Sequence, residues 1–147
     1  MSLQFSQNIT EDLARQMVLE GLISEDQLLV ARVSREDLGE DLGQILLKKG
    51  FVSQVQLLSF IGKTLSIPYI SLDGENPPEE LVQKVPLYLA RRYHAVPVRR
   101  EGNAVVVAMA DPMDPFALDD LRMSLRSEIK RALGLREDID RFIDRFL

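Results

Sequence analysis

LARQMVLEGLISEDQLLVA (residues 13–31) and LGQILLKKGFVSQVQLLSF (residues 42–60) are one pattern written twice, offset by 29 residues. Leu13/Leu42, Gly21/Gly50, Ser24/Ser53, Gln27/Gln56, Leu28/Leu57 and Leu29/Leu58 are identical, and most other apolar positions fall on apolar ones. Each copy spells helix, stop, helix. Gly21 and Gly50 stand where a left-handed residue ends a helix, with Leu22 and Phe51 placed to fold back on Met17 and Leu46 in a Schellman turn. A new helix then starts. Ser24-x-x-Gln27 and Ser53-x-x-Gln56 are capping boxes: the serine oxygen accepts the N3 amide while the glutamine reaches back to the N-cap amide. Ile23 with Leu28, and Val52 with Leu57, have the spacing of a hydrophobic staple.

Upstream, Asn8 or Thr10 caps the first helix, which is expected to run to about Glu20. The second is expected to fade in the charged segment 31–41, the third to end at Lys49, and the fourth to run from Ser53 to about Leu65. Four short helices with one apolar stripe each form a compact bundle. Downstream, IPYISL (residues 67–72) reads as an extended exit strand, because Pro68 holds its predecessor out of the helical region. The polar, turn-rich DGENPP (residues 73–78) reads as a linker. The organisation expected is therefore a helical repeat subdomain over 1–72 (repeats 13–35 and 42–64), a linker at 73–78 and a small α/β subdomain over 79–147.

That second half starts with short helices at 79–85 and 87–93. Residues 95–100 and 104–110 then read as strands joined through Glu101-Gly102-Asn103, a tight-turn sequence. Asp114 caps a helix with Pro115 at N1 and an apolar stripe of Phe116, Leu118, Leu121 and Leu125. Residues 128–133 read as a third strand. Residues 135–147 form an amphipathic helix with Ile139, Phe142, Ile143 and Phe146 inward and Asp138/Arg141, Asp140/Arg141 and Asp144/Arg145 toward water. The fold class is α+β: duplicated helical hairpins, then a small α/β part whose short, mainly antiparallel sheet is packed by helices.

Composition narrows the function. With 46% apolar and 28% charged residues the chain suits a soluble globular domain, and it holds neither a spanning apolar run nor a signal-peptide pattern. The absence of cysteine removes disulfides, thiolate nucleophiles and cysteine-based zinc sites. A net charge of −5 argues against nucleic acid or anionic lipid as partner.

Few residues offer chemistry. Gly62-Lys63-Thr64 copies the end of a P-loop, but Leu57 occupies the place of the motif's first glycine, so a helix end is the better reading. His94, the only histidine, sits beside Arg91, Arg92 and Tyr93 without a second ligand at metal spacing and reads as structural. Asp111, Asp114, Asp119 and Asp120 are clustered carboxylates that turn and cap chemistry explains better than a metal. Arg91, Arg92, Arg99, Arg100, Arg122, Arg126, Lys130 and Arg131 form a basic set read as a solvated face, with a partner-binding patch as the alternative. No nucleophile–base pair or catalytic carboxylate pair emerges, so no enzyme is expected within these residues.

The duplicated Leu-Gly-x-x-Leu-Leu-x-x-Gly-Phe-Val pattern, IPYISL, Ala90-Arg91-Arg92-Tyr93, Val96-Pro97-Val98, Arg100-Glu101-Gly102 and AMADPMD-x2-ALDDLR (residues 108–122) together resemble one family. It is the N-terminal domain of type II secretion and type IV pilus assembly ATPases (GspE N-terminal or MshEN-like), whose MshE type binds cyclic di-GMP. The resemblance implies a cytoplasmic, non-catalytic docking and regulatory domain at the inner-membrane face. Its partners are then the cytoplasmic part of an inner-membrane assembly protein and, in a longer chain, its own hexameric motor, with no nucleic acid and no direct membrane insertion. It implies no cofactor unless cyclic di-GMP binds. In the MshE type that ligand lies across two motifs, here residues 12–35 and 41–64, each opening with Arg-Leu-Gly and closing with Gln. Leu13, Met17, Val18, Gly21, Leu42, Gly43, Leu46, Leu47 and Gly50 match the pattern, and Arg35 offers one compensating cation. Asp12 and Asp41 replace the arginines, Arg35 and Thr64 the glutamines, and Ala14 the first glycine. Carboxylates where guanidinium groups should bind phosphate repel it instead. Docking therefore leads, with cyclic di-GMP sensing as the alternative.

Overall fold

A computed structural model describes residues 11–38 and 42–147. The chain divides into two compact units, Met1–Ile61 and Gly62–Leu147. Helices α1 (Glu11–Leu19), α2 (Glu25–Leu38), α3 (Leu42–Lys48) and α4 (Gln54–Leu65) follow the duplicated pattern. Both stops are Schellman turns. Gly21 and Gly50 are left-handed (φ 79° and 71°), the Leu22 amide donates to the Met17 carbonyl at 2.9 Å, and the Phe51 amide donates to Leu46 at 3.0 Å. Both capping boxes close reciprocally: the Gln27 and Gln56 amides donate to serine Oγ at 3.0 Å, and the Ser24 and Ser53 amides donate to glutamine Oε1 at 2.9 Å. A serine cap of this kind contributes about 1 kcal/mol. The staple residues Ile23, Leu28, Val52 and Leu57 are all buried.

The second helix ends at Leu38, inside the charged segment 31–41 where it was expected to fade, after crossing most of that segment. Alanine, arginine and glutamate are good helix formers, and Arg32 and Arg35 are held by Glu11 of α1. The expected cap at Asn8 or Thr10 lies outside the described residues.

The second unit begins earlier than the 73–78 linker. A third Schellman turn ends α4, with Ser66 left-handed (φ 60°) and the Ile67 amide donating to the Gly62 carbonyl at 2.8 Å. Gly62 is needed here for space, because an added Cβ would stand 2.3 Å from the Ile67 carbonyl oxygen. Packing thus accounts for the glycine of Gly62-Lys63-Thr64. Residues 67–72 then bond within this unit: the Leu133 amide donates to Pro68 at 2.8 Å, the Ile70 amide donates to Leu133 at 2.9 Å, and Leu72 enters the core.

Helices α5 (Glu79–Lys84) and α6 (Leu87–Tyr93) precede β1 (Ala95–Glu101), β2 (Ala104–Met109), α7 (Pro115–Leu125), β3 (Glu128–Leu133) and α8 (Arg136–Phe146). The sheet order is β1-β2-β3 and the sheet is mixed. β1 and β2 form the antiparallel hairpin, Glu101 opposite Ala104, with left-handed Gly102 (φ 62°) at the first turn position as a II′ turn requires. β2 and β3 pair in parallel, from Ala104↔Glu128 to Met109↔Leu133. The parallel pairing follows from α7, a helical crossover that returns the chain to the edge where β2 began. A bulge at Val98 places four consecutive buried residues, Ala95 to Val98, at the start of β1.

Asp114 caps α7, its Oδ1 accepting the Phe116 and Ala117 amides at 2.9 and 3.3 Å. The buried stripe of α7 is Ala117, Leu121 and Leu125, whereas Phe116 is 73% exposed, so the expected inward phenylalanine points out. On α8, Ile139, Phe142 and Ile143 are buried and Arg141 pairs with Asp138. The other two acids face water as expected and also hold α6: Asp140 meets His94 Nδ1 at 2.8 Å, and Asp144 accepts from Arg91 at 2.9 Å.

Three substitutions separate these helix ends by urea unfolding. Gly50→Ala is expected to lose about 1 kcal/mol through the left-handed penalty alone. Gly62→Ala should lose roughly 2–3 kcal/mol, because backbone must move. Ser66→Gly should gain up to about 1 kcal/mol; a loss there would show that the serine does more than turn the chain.

Candidate functional site

Packing sorts the candidate ligand residues of the repeat. Met17, Leu42, Gly43 and Leu46 are buried and build the scaffold; Leu13, Val18 and Leu47 are half-buried; Gly21 and Gly50 are exposed at the helix stops. Arg35 is engaged. Its Nη2 lies 2.9 Å from Glu11 Oε1, while Arg32 Nη2 lies 2.8 Å from Oε2, so two guanidinium groups share one carboxylate. The Arg32 hydrogen bond, more than any other influence, holds the Glu11 carboxyl below the usual range. Glu11 and Asp12 occupy the first turn of α1, where the helix dipole favours acids and disfavours the arginine that phosphate binding asks for. Asp41 lies outside the described residues, and Thr64 is exposed near the end of α4.

The same unit carries a surface that the candidate set missed. Arg15, Val18, Leu19, Glu25, Asp26, Leu28, Leu29 and Arg32 line a recess of about 340 Å³. Leu29 is 57% exposed, yet its counterpart Leu58 is 1% exposed, so the copies share a helix plan but not a covered face. The signal in the sequence was Arg15 and Arg32 standing where the second copy has Gln44 and Ile61. Exposed Leu19 and Leu29 among charges of both signs suit a partner that offers apolar groups.

In the second unit the clustered carboxylates act locally. Asp111 Oδ1 accepts the Met113 amide at 3.1 Å, and burial pushes its carboxyl pKa up. Asp114 is a cap, and Asp120 accepts the Tyr93 hydroxyl at 2.6 Å, raising the phenol's pKa. Among the described residues no group of three potential ligands is placed to hold a metal. His94 is the left-handed cap of α6 (φ 46°), half-buried against Asp140.

The basic set does not form one face. Arg91, Arg99, Arg100 and Lys130 pair with Asp144, Glu75, Glu80 and Glu101, and Arg131 donates to the Pro112 carbonyl at 2.9 Å. Arg92 lies 5.4 Å from the Tyr93 ring centre. Arg99, Lys130 and Arg131 line one recess; Arg100, Arg122 and Arg126 line another with Lys84.

A family model described as the MshEN domain matches residues 65–147. The type IV pilus assembly ATPase PilB of Myxococcus xanthus is 32% identical over 130 residues, covering 86% of this chain and 23% of that protein. The structure of MshE with cdg has a TM-score of 0.74 and 32% identity, covering 92% of this chain and 98% of that one. The N-terminal domain of XpsE has a TM-score of 0.57 and 26% identity, covering 92% of this chain and 95% of that one. The chain spans about a quarter or less of the curated relatives it matches, which also include a type II secretion system protein E and a bacteriophage N4 adsorption protein B.

Glu11→Gln tests the tie that occupies Arg35. The folded pKa of Glu11 is lowered, so its contribution is complete above the ordinary glutamate pKa and is lost as pH falls through the folded value. The substitution is expected to lower stability by about 0.5 kcal/mol at pH 7, a size set by the exposure of the pair. Thermal unfolding should show that gap closing below about pH 4.

Proposed function

Because the chain belongs to the MshEN domain family, we propose that it is a non-catalytic docking and regulatory domain of a type IV pilus or type II secretion ATPase. In this reading it holds the cytoplasmic part of an inner-membrane assembly protein and works at the inner-membrane face, with its own motor following in a longer chain. No helix among the described residues is long and apolar enough to cross a membrane, which agrees with attachment through a protein partner. ATP hydrolysis is assigned to no residue of this chain.

The observation that carries docking above ligand sensing is the charge at the repeat. Asp12 and Asp41 stand at the two arginine positions, and Arg35, the one compensating cation, is neutralised by Glu11. Two carboxylates facing two phosphates are repulsive, and freeing Arg35 means breaking an ion pair. The second reading, cyclic di-GMP sensing on the repeat, is favoured by the likeness to MshE with cdg and by Arg15 beside an open recess.

Calorimetry separates the two. Cyclic di-GMP titrated into the full chain is expected to give no saturable heat at micromolar concentrations, while the cytoplasmic domain of the assembly protein should bind. Saturable micromolar heat would reverse the order of the readings. Asp12→Arg with Asp41→Arg restores both phosphate-binding groups and should raise cyclic di-GMP affinity at least about tenfold.

A further inference from the structure

In a chain of net charge −5, four cations from three separate elements converge on one recess of the second unit. Lys84 ends α5, Arg100 lies on β1 beside the hairpin turn, Arg122 is in the last turn of α7, and Arg126 caps that helix. The recess measures about 580 Å³ and Glu128 is its one lining carboxylate. Arg100 pairs with Glu80 at 2.5 Å; Lys84, Arg122 and Arg126 form no ion pair among the described residues. The frame beneath them is fixed by two hydroxyls. Ser124 donates to the Lys84 carbonyl, and Ser127 donates to the Asn103 carbonyl at 3.0 Å, tying the end of α5 and the hairpin turn to the corner between α7 and β3.

Helix dipoles give a bland reason for two of these cations, since Lys84 and Arg122 lie in last turns where positive charge is favoured. That reason covers neither Arg100 on a strand nor the backbone of Arg126. Arg126 is left-handed (φ 52°), a conformation that glycine adopts without penalty and arginine does not. The strained position holds an unpaired guanidinium at the rim.

We propose that this recess receives an acidic segment of a protein partner, several carboxylates spaced along one chain. The proposal rests on the docking reading above and names the chemistry of the docked segment. A lone phosphate suits the site less well. The cations stand on three separate elements and do not form one bidentate clamp. Carboxylates on successive side chains can each reach a different cation, and such charge complementarity fixes register and speeds encounter.

The test uses the full chain and a fluorescein-labelled oligoglutamate peptide followed by anisotropy, with oligoglutamine as the neutral control. Saturable binding that weakens with salt is expected. Lys84→Glu, Arg122→Glu and Arg126→Glu together should weaken it at least about tenfold, with the circular dichroism spectrum unchanged because these groups are exposed. Arg126→Gly is the sharper variant: relief of the left-handed strain should raise the thermal midpoint while peptide affinity falls. A raised midpoint with unchanged affinity would overturn the proposal, as would competition by millimolar inorganic phosphate as effective as that by unlabelled peptide. If the triple variant still binds the assembly protein's cytoplasmic domain with wild-type affinity, the recess is not the docking site and the docking reading stands. If that domain binds neither form while oligoglutamate binding remains sensitive to the three substitutions, the recess stands and the docking reading falls.

Discussion

Five of the described helices stop at one residue that turns left-handed and so returns an amide to a carbonyl near the helix end. After Gly21, Gly50 and Ser66 the next amide reaches back into α1, α3 and α4, whereas His94 and Arg126 donate their own amides to Ala90 and Arg122 at the ends of α6 and α7. The constraint is strong because the last carbonyls of a helix need partners, and short helices have little else to hold their ends. Everything downstream depends on it. The turn after α3 aims α4, the turn after α4 delivers Pro68 and Ile70 to β3, and the turn after α7 feeds β3 into parallel register with β2.

The two repeat copies share these stops and their capping boxes, but not their surroundings. Leu58 is buried where Leu29 is open, and Ile61 is buried where the first copy has Arg32. Duplication has kept the backbone bonding and released the side chains that the backbone does not need. Within the repeat, function therefore has to be sought where the copies differ, at Arg15, Arg32 and Arg35, rather than at the positions they share.

Helix stops that use glycine were legible in the sequence, because glycine is the residue with no left-handed penalty. Those at Ser66, His94 and Arg126 were not, since nothing in a lone serine, histidine or arginine announces φ above zero. The hairpin at Gly102-Asn103 and the cap at Asp114 were likewise written locally and appear where expected. The parallel partner of β2 was hidden because its bonds depend on a crossover helix. The fate of Asp140 and Asp144 was hidden for a related reason: an acid on an amphipathic helix looks solvated until a second helix brings His94 and Arg91 to it. The match to the ligand motif was legible, and so were its departures at Asp12 and Asp41. The engagement of Arg35 by Glu11 was not, because it spans two helices.

The bridge between Leu133 and residues 68–70 joins chain segments about 60 residues apart, whereas the capping boxes and Schellman turns close within five. Closing a long loop costs entropy before any contact rewards it, so local turns form early and this bridge forms late. During synthesis, residues 67–72 leave the ribosome well before β3 exists to bond them. Their unpaired backbone stays open until residues 128–133 arrive, and that interval is when the nascent chain most needs protection from pairing with another copy.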